Sequence, residues 1–306
     1  MQFKLMRKSY SINQSPLYAI KGLNQLEKVL NIQLNKIGKL LNPAAYKVWQ
    51  TEKGREIQYP TGWLGNTHKN IALLLARIEM PEYVYSKRGR SYADNGYEHI
   101  GYHPLAKTDI DRFYPSTTRD MVKKMFIDQF KCAKDVAGYL TDICCYQQNH
   151  LPTGSSISGY IAYFANKPLF DKVYELAKSN GCTFTLYVDD LTFSGRFATG
   201  KLIYQIRKLI RNSGLNAKRS KTKVFTAYAV KEVTGNIVRG NNLLLPNRRH
   251  KNIYETKQAL AVTTNQKEIL RLYKKLNGQI KEFAQIKSVN NGAKLEKEMV
   301  TELIFA

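Results

Sequence analysis

Tyr187-Val188-Asp189-Asp190 stands between two runs of β-favouring residues, Thr183-Phe184-Thr185-Leu186 and Leu191-Thr192-Phe193-Ser194. Alternating β-branched and aromatic residues around a two-residue turn predict a β-hairpin with the acids at its tip. Adjacent carboxylates raise each other's pKa, so neither gains from burial unless a cation shares the tip. Mg²⁺ suits that place, because it takes one or two carboxylates and leaves its other positions to water and substrate phosphates. The chemistry expected is metal-assisted phosphoryl transfer. An isolated Asp-Asp pair is most often a solvated turn, and a second acidic cluster changes the balance.

That cluster is Thr108-Asp109-Ile110-Asp111-Arg112-Phe113-Tyr114-Pro115-Ser116, at the end of a strand expected over 105–110. Alternate strand residues share a face, so Asp109 and Asp111 can point the same way. One of them beside Asp189 and Asp190 completes a three-carboxylate set of the kind that holds two metal ions. In such a centre one ion activates the attacking oxygen and the other stabilises the leaving pyrophosphate.

The chain as a whole fits a polyanionic substrate. Its 306 residues carry a formal charge of +24 and are 43% hydrophobic, enough for a real core. A membrane is the competing explanation for so basic a chain. No stretch approaches ~18 apolar residues, and the basic residues are spread along the sequence, so nucleic acid is the expected partner. Met1 to Lys8 lack the apolar core of a signal peptide. Cys132, Cys144, Cys145 and Cys182 have no zinc-site spacing, and are read as reduced core residues of a cytoplasmic protein.

The elements that must position the acids follow from periodicity. One or two helices are expected over 16–42, on Leu23, Leu26, Val29, Leu30, Ile32, Leu34, Ile37 and Leu40. A hairpin is expected over 46–59, its Lys47, Lys53 and Arg55 lining a mobile basic flap. Further helices are read over 70–78, 118–130, 134–145, 156–179 (kinked at Pro168), 202–210 and 252–285. Strands are read over 83–90, with a turn, and over 223–227. This order is α+β, a small antiparallel sheet backed by helices. Residues 201–240 hold ten Lys or Arg and a single acid, Glu232, and with Arg271, Lys274 and Lys275 suit a track for a nucleic-acid backbone.

Three segments together resemble motifs A, B and C of reverse transcriptases, in the right order: Asp109 to Ser116, Leu151-Pro152-Thr153-Gly154-Ser155-Ser156-Ile157-Ser158, and Tyr187 to Asp190. Asn95-Gly96-Tyr97-Glu98-His99 and Val233-Thr234-Gly235 resemble the Asn-Ala-x-x-His and Val-Thr-Gly elements of the retron-type members, a bacterial, defence-associated group. The resemblance implies a right-hand polymerase: N-terminal helices and fingers over 1–103, palm over 104–238 with fingers helices around 130–150, and thumb over 239–306. It implies RNA-directed DNA synthesis on a cognate structured non-coding RNA, serving as template and primer, with deoxynucleotide triphosphates as substrates and a DNA product, in anti-phage defence.

By the same resemblance, Asp109, Asp189 and Asp190 hold two Mg²⁺ ions, with Mn²⁺ as a substitute, and Asp111 is a neighbour. Lys221 resembles the lysine that meets the triphosphate and protonates pyrophosphate. Tyr114 falls where a bulky ring lies under the incoming sugar and excludes a 2′-hydroxyl. Thr153, Gly154, Arg55 and Lys47 are assigned to nucleotide binding. Asn95, His99, Val233, Thr234, Gly235, Arg248 and Arg249 are assigned to RNA.

Two departures stand out: Thr153 replaces the usual Gln of motif B, and Ser156 replaces a common Pro. They leave open a non-retron defence enzyme with another primer or a low-complexity DNA product. A catalytically inactive RNA-binding relative is the alternative of another class, and the intact acids argue against it. The apolar end Glu302-Leu303-Ile304-Phe305-Ala306 is read as docking on the thumb or meeting a partner, an effector protein or a second copy of the chain.

Overall fold

The structure, a computed structural model, describes residues 8–291 apart from positions 34, 36 and 41. Leu34 and the apolar end at 302–306 lie outside the described residues. The chain divides into two compact units, each built from three segments: 1–82, 110–175 and 206–218 in the first, 83–109, 176–205 and 219–306 in the second.

In chain order, α1 (Leu23–Leu30) and α2 (Ile37–Leu40) precede the hairpin β1 (Tyr46–Gln50) and β2 (Glu56–Pro60). Next come α3 (Gly62–Leu75), α4 (Tyr92–Tyr97) and β3 (Leu105–Asp109). Four helices follow, α5 (Phe113–Ser116), α6 (Arg119–Asp128), α7 (Lys134–Cys144) and α8 (Ser158–Ser179), the last running on through Pro168. β4 (Thr183–Tyr187) and β5 (Asp190–Ser194) lead to α9 (Gly200–Asn212) and β6 (Lys223–Phe225). The chain then makes β7 (Lys231–Val233), β8 (Asn236–Arg239) and β9 (Asn242–Leu244), and ends its described part in α10 (Asn247–Val262) and α11 (Gln266–Asn291).

In the first unit, rings from the end of α6 and from α8 pack together. Phe130 lies 5.6 Å from both Phe126 and Phe164, and Tyr163 stacks on Phe170 at 6.1 Å. Such pairs add to the burial of large apolar area. Cys132, Cys144 and Cys145 sit in this unit, Cys182 in the other; all four are buried and free, as expected.

The second unit is organised by a four-stranded antiparallel sheet in the order β4-β5-β3-β6. Period-2 alternation divides its two faces. Phe184 and Phe193 are register partners on one face and stack at 4.9 Å. Lys107, Asp109, Thr185, Asp190, Thr192 and Ser194 fall on the other. A three-stranded sheet, β7-β8-β9, packs with α4 and α11 around Ala93, Val233, Val238, Leu243 and Ile286. This second sheet was not expected. Its strands of three or four residues are too short to reveal an alternation.

Two other expectations are corrected. Residues 83–90 form no strand beyond a single bridge, Val84 to Leu186. The helical stretch 252–285 is two helices, because Thr263, Thr264 and Asn265 interrupt it, and the Asn265 side chain caps the second by accepting from the Lys267 and Glu268 N–H groups.

Candidate active site and its scaffold

The hairpin tip is built as the residue types demand, with one strained position. β4 and β5 are joined by Val188 and Asp189, and Tyr187 pairs with Asp190. Val188 has φ +60°, a left-handed conformation rare for a β-branched residue and worth on the order of 1–3 kcal/mol of strain. Asp109, the last residue of β3, is the register partner of Asp190 on β5. The three expected acids therefore meet at one end of the polar sheet face, all within the second unit.

Their electrostatics are uncompensated. Burial, then the charges of Asp109 and Asp190, push the Asp189 carboxyl up to about 6. Asp190 is raised as well, chiefly by burial, with Lys107 opposing. Lys221 donates from Nζ to Asp109 Oδ2 at 2.5 Å. Desolvation lowers the Lys221 ammonium, yet the hydrogen bond and charge of Asp109, with Asp189 and Asp190, outweigh it and raise the group. Lys221 and Lys107 thus offset the three carboxyls only in part.

The donor chemistry fits Mg²⁺ or Mn²⁺: hard oxygens with surplus negative charge. Among the described residues, however, no three His, Cys, Asp or Glu side chains are arranged as a ready metal site. Lys221 holds one oxygen of Asp109, so a metal ion at that oxygen competes with this lysine.

Two residues, one on the acid-bearing strand and one elsewhere, escaped the sequence reading. Lys107 lies two positions before Asp109 on the same strand face; it is desolvated and lowered, while Asp190 and Glu232 oppose that shift. The alternation that selected Asp109 and Asp111 also selects Lys107, read toward the N-terminus. Gln58 on β2 is the other, described below. Asp111 pairs with Arg112 at 3.7 Å and Lys218 at 3.9 Å.

The candidate nucleotide residues belong to the first unit. Tyr114 is half-buried, its ring 6.0 Å from that of Phe113. Lys47 on β1 and Arg55 before β2 are exposed. Thr153 and Gly154 are hydrogen-bonded to β2 of the basic hairpin.

Most of the residues expected to bind RNA are structural instead. His99 is fully buried, Nδ1 paired with Ser194 Oγ and Nε2 with Thr185 Oγ1, each at 2.7 Å. With both nitrogens engaged and no surface, its ring is not available to RNA; it ties β4 to β5. Asn95 and Val233 are also fully buried. Thr234, at φ +45°, donates to the Tyr92 carbonyl at 2.9 Å. Gly235 has φ +80°, and an added Cβ would lie 3.1 Å from Arg249. At Gly96 a Cβ would lie 2.8 Å from Leu243 Cδ1. The Asn95–His99 element and the Val233–Gly235 turn are therefore two halves of one packing contact. Arg249 is held by Glu282 and lies 5.6 Å over the Tyr92 ring, whereas Arg248 is exposed. In the basic strip, Lys231 is 1% exposed and donates to the Gly101 carbonyl at 3.0 Å, so it is withdrawn from any backbone track.

The fold is α+β, a small antiparallel sheet with three acids clustered at a strand end and a hairpin turn. By sequence the chain is similar to several retron reverse transcriptases. It is 24% identical over 264 residues to the retron Ec86 reverse transcriptase of Escherichia coli, covering 80% of each chain. Identity to the retron Se72 reverse transcriptase of Salmonella heidelberg is 25% over 291 residues, covering 87% of this chain and 76% of that one. The retron Ec48 reverse transcriptase of Escherichia coli matches at 23% over 244 residues, 71% of this chain and 58% of the relative. No family model matches. A solved structure of telomerase from Candida albicans with a fragment of telomeric RNA is similar with a TM-score of 0.48 and 10% identity, over 85% of this chain and 58% of that one. Among the described residues no helix is long and apolar enough to cross a membrane.

Proposed function

We propose that this chain is an RNA-directed DNA polymerase of retron type, with Asp109, Asp189 and Asp190 as its metal-holding acids. The observation that supports this most is the register pairing of Asp109 with Asp190 beside Asp189 at the turn. Similarity to three retron reverse transcriptases over most of the chain supports it independently.

Bound there, a pair of divalent ions would supply Lewis-acid stabilisation of the attacking and leaving oxygens. The chain's own residues do the rest. Asp109, Asp189 and Asp190 offer the carboxylate oxygens. Lys221 releases Asp109 and turns its ammonium to the triphosphate, where it neutralises charge and gives a proton to the leaving pyrophosphate. Tyr114 lies under the sugar and selects deoxyribose; Thr153, Gly154, Lys47 and Arg55 hold the nucleotide.

The surplus of basic residues, exposed Arg248 among them, engages the phosphates of a structured RNA and its growing DNA strand. The fingers, palm and thumb divisions at 103 and 238, the role in phage defence, and an effector protein or second copy as partner belong to the same reading.

Incubating the purified chain with Mg²⁺, primed RNA and labelled deoxynucleotides should give extended DNA. Replacing Asp189 and Asp190 together by Asn should lower extension by at least about a thousand-fold, the scale of a lost metal centre, with RNA affinity nearly unchanged. Equal extension by that variant contradicts the assignment.

A further inference from the structure

The hairpin β1–β2 is poorly anchored by apolar burial: four of the five β1 residues are exposed, and on β2 Gln58 and Pro60 alone are buried. A two-stranded hairpin of this kind is marginal in water. Apart from the Tyr46 ring, 4.9 Å from that of Tyr146 at the base of β1, what holds it is polar. Gln58 is only 4% exposed, and its Oε1 accepts from the Thr153 N–H at 2.9 Å. Its Nε2 donates to Glu56 Oε1 at 2.7 Å. The Thr153 hydroxyl has one proton; it is closest to the Glu56 carbonyl, at 2.7 Å, while accepting from the Gln58 N–H at 3.3 Å.

The main chains then close the contact. The Gly154 N–H donates to the Gln58 carbonyl at 3.1 Å. A Cβ at position 154 would lie 2.9 Å from that same oxygen and from Ile57 Cγ2, so glycine is what lets β2 come so near. On the far side of the loop, buried His68 pairs with Ser155 Oγ at 2.7 Å and with the Ile143 carbonyl at 2.8 Å. The loop is fixed, and the hairpin hangs on it through Gln58.

We infer that Gln58 is a positioning residue that locks the basic hairpin onto the Leu151–Gly154 loop and thereby sets affinity for the incoming nucleotide. Lys47 and Arg55 ride on this hairpin, so their placement depends on the lock. Gln58 itself touches no substrate. The effect on catalysis rests on the polymerase reading above, whereas the lock itself does not.

The test is hydrogen exchange and steady-state extension on the full chain. Gln58→Ala should speed exchange of segments 44–60 and 151–157 at least ten-fold. It should raise the nucleotide KM about ten-fold with kcat within about two-fold. Gln58→Glu should do the same, because two carboxylates then face each other at positions 56 and 58. Combining it with Glu56→Gln lets amide and carboxylate trade places, and should return both exchange and KM toward wild type. Unchanged exchange in Gln58→Ala overturns the lock; faster exchange with an unchanged KM overturns its role in nucleotide affinity. If the wild-type chain extends no primer, the polymerase reading falls, and the exchange data alone judge the lock.

Discussion

One face of the central sheet carries two polar regions that differ in a single respect. At one end, Asp109, Asp189 and Asp190 carry more negative charge than Lys221 balances. At the other, Thr185 and Ser194 are bridged by His99, with both ring nitrogens satisfied. Buried polar groups that are paired hold a fold together; those left with surplus charge await a ligand. β5 contributes to both, and the His99 end braces the β4–β5 register that sets Tyr187 opposite Asp190 at the turn.

The comparison is broken most forcefully at His99. His99→Ala removes both hydrogen bonds and opens a cavity, and should cost about 2–4 kcal/mol, seen as a lower denaturation midpoint. A loss below about 0.5 kcal/mol would mean that the imidazole does not brace the hairpin.

The two ends also answer pH in opposite senses. Burial holds His99 at about 3, against ~6.5 in an unfolded chain. The unfolded state takes up a proton first, so this group subtracts stability as pH falls from ~6.5 toward 3. Asp189 is raised to about 6, against ~3.9 unfolded. Here the native state takes the proton first, so the charged group opposes folding at neutral pH and the opposition fades toward ~4. Without divalent metal, Asp189→Asn should therefore stabilise the chain at pH 7.5 by on the order of 1–2 kcal/mol, with no gain near pH 4. Denaturant melts at the two pH values decide this, and a gain that is equal at both contradicts it.

The smallest effect is expected at the turn. Val188→Gly relieves the positive φ, but glycine also gains entropy in the unfolded chain. The two oppose, and stability should stay within about 1 kcal/mol of wild type. A loss above 2 kcal/mol would show that the valine side chain holds the turn by packing.

The acid end was largely legible in the sequence. Strands read at 183–186 and 191–194 are 183–187 and 190–194 in the structure, because period-2 alternation and a two-residue turn leave little freedom in register. The helices read at 134–145 and 156–179 are likewise close to Lys134–Cys144 and Ser158–Ser179. The braced end was not legible as such. Asn95, His99 and Val233–Gly235 were singled out as motif residues, but a motif does not say whether a side chain faces solvent or a core. Gln58 carried no signal, since a glutamine on a half-exposed strand looks like ordinary surface. Its partner Thr153 stands in the sequence as a nucleotide-binding candidate that departs from the family pattern, and neither reading points to the contact its hydroxyl makes with β2.

The claim on which the rest depends is that Asp109, Asp189 and Asp190 together hold divalent cations. Titrating the full chain with Mn²⁺ and following free ion by electron paramagnetic resonance tests it directly. The wild-type chain should bind two ions, and the chain with Asp189→Asn and Asp190→Asn should lose that binding while still melting cooperatively. Identical Mn²⁺ uptake by both proteins would contradict the account.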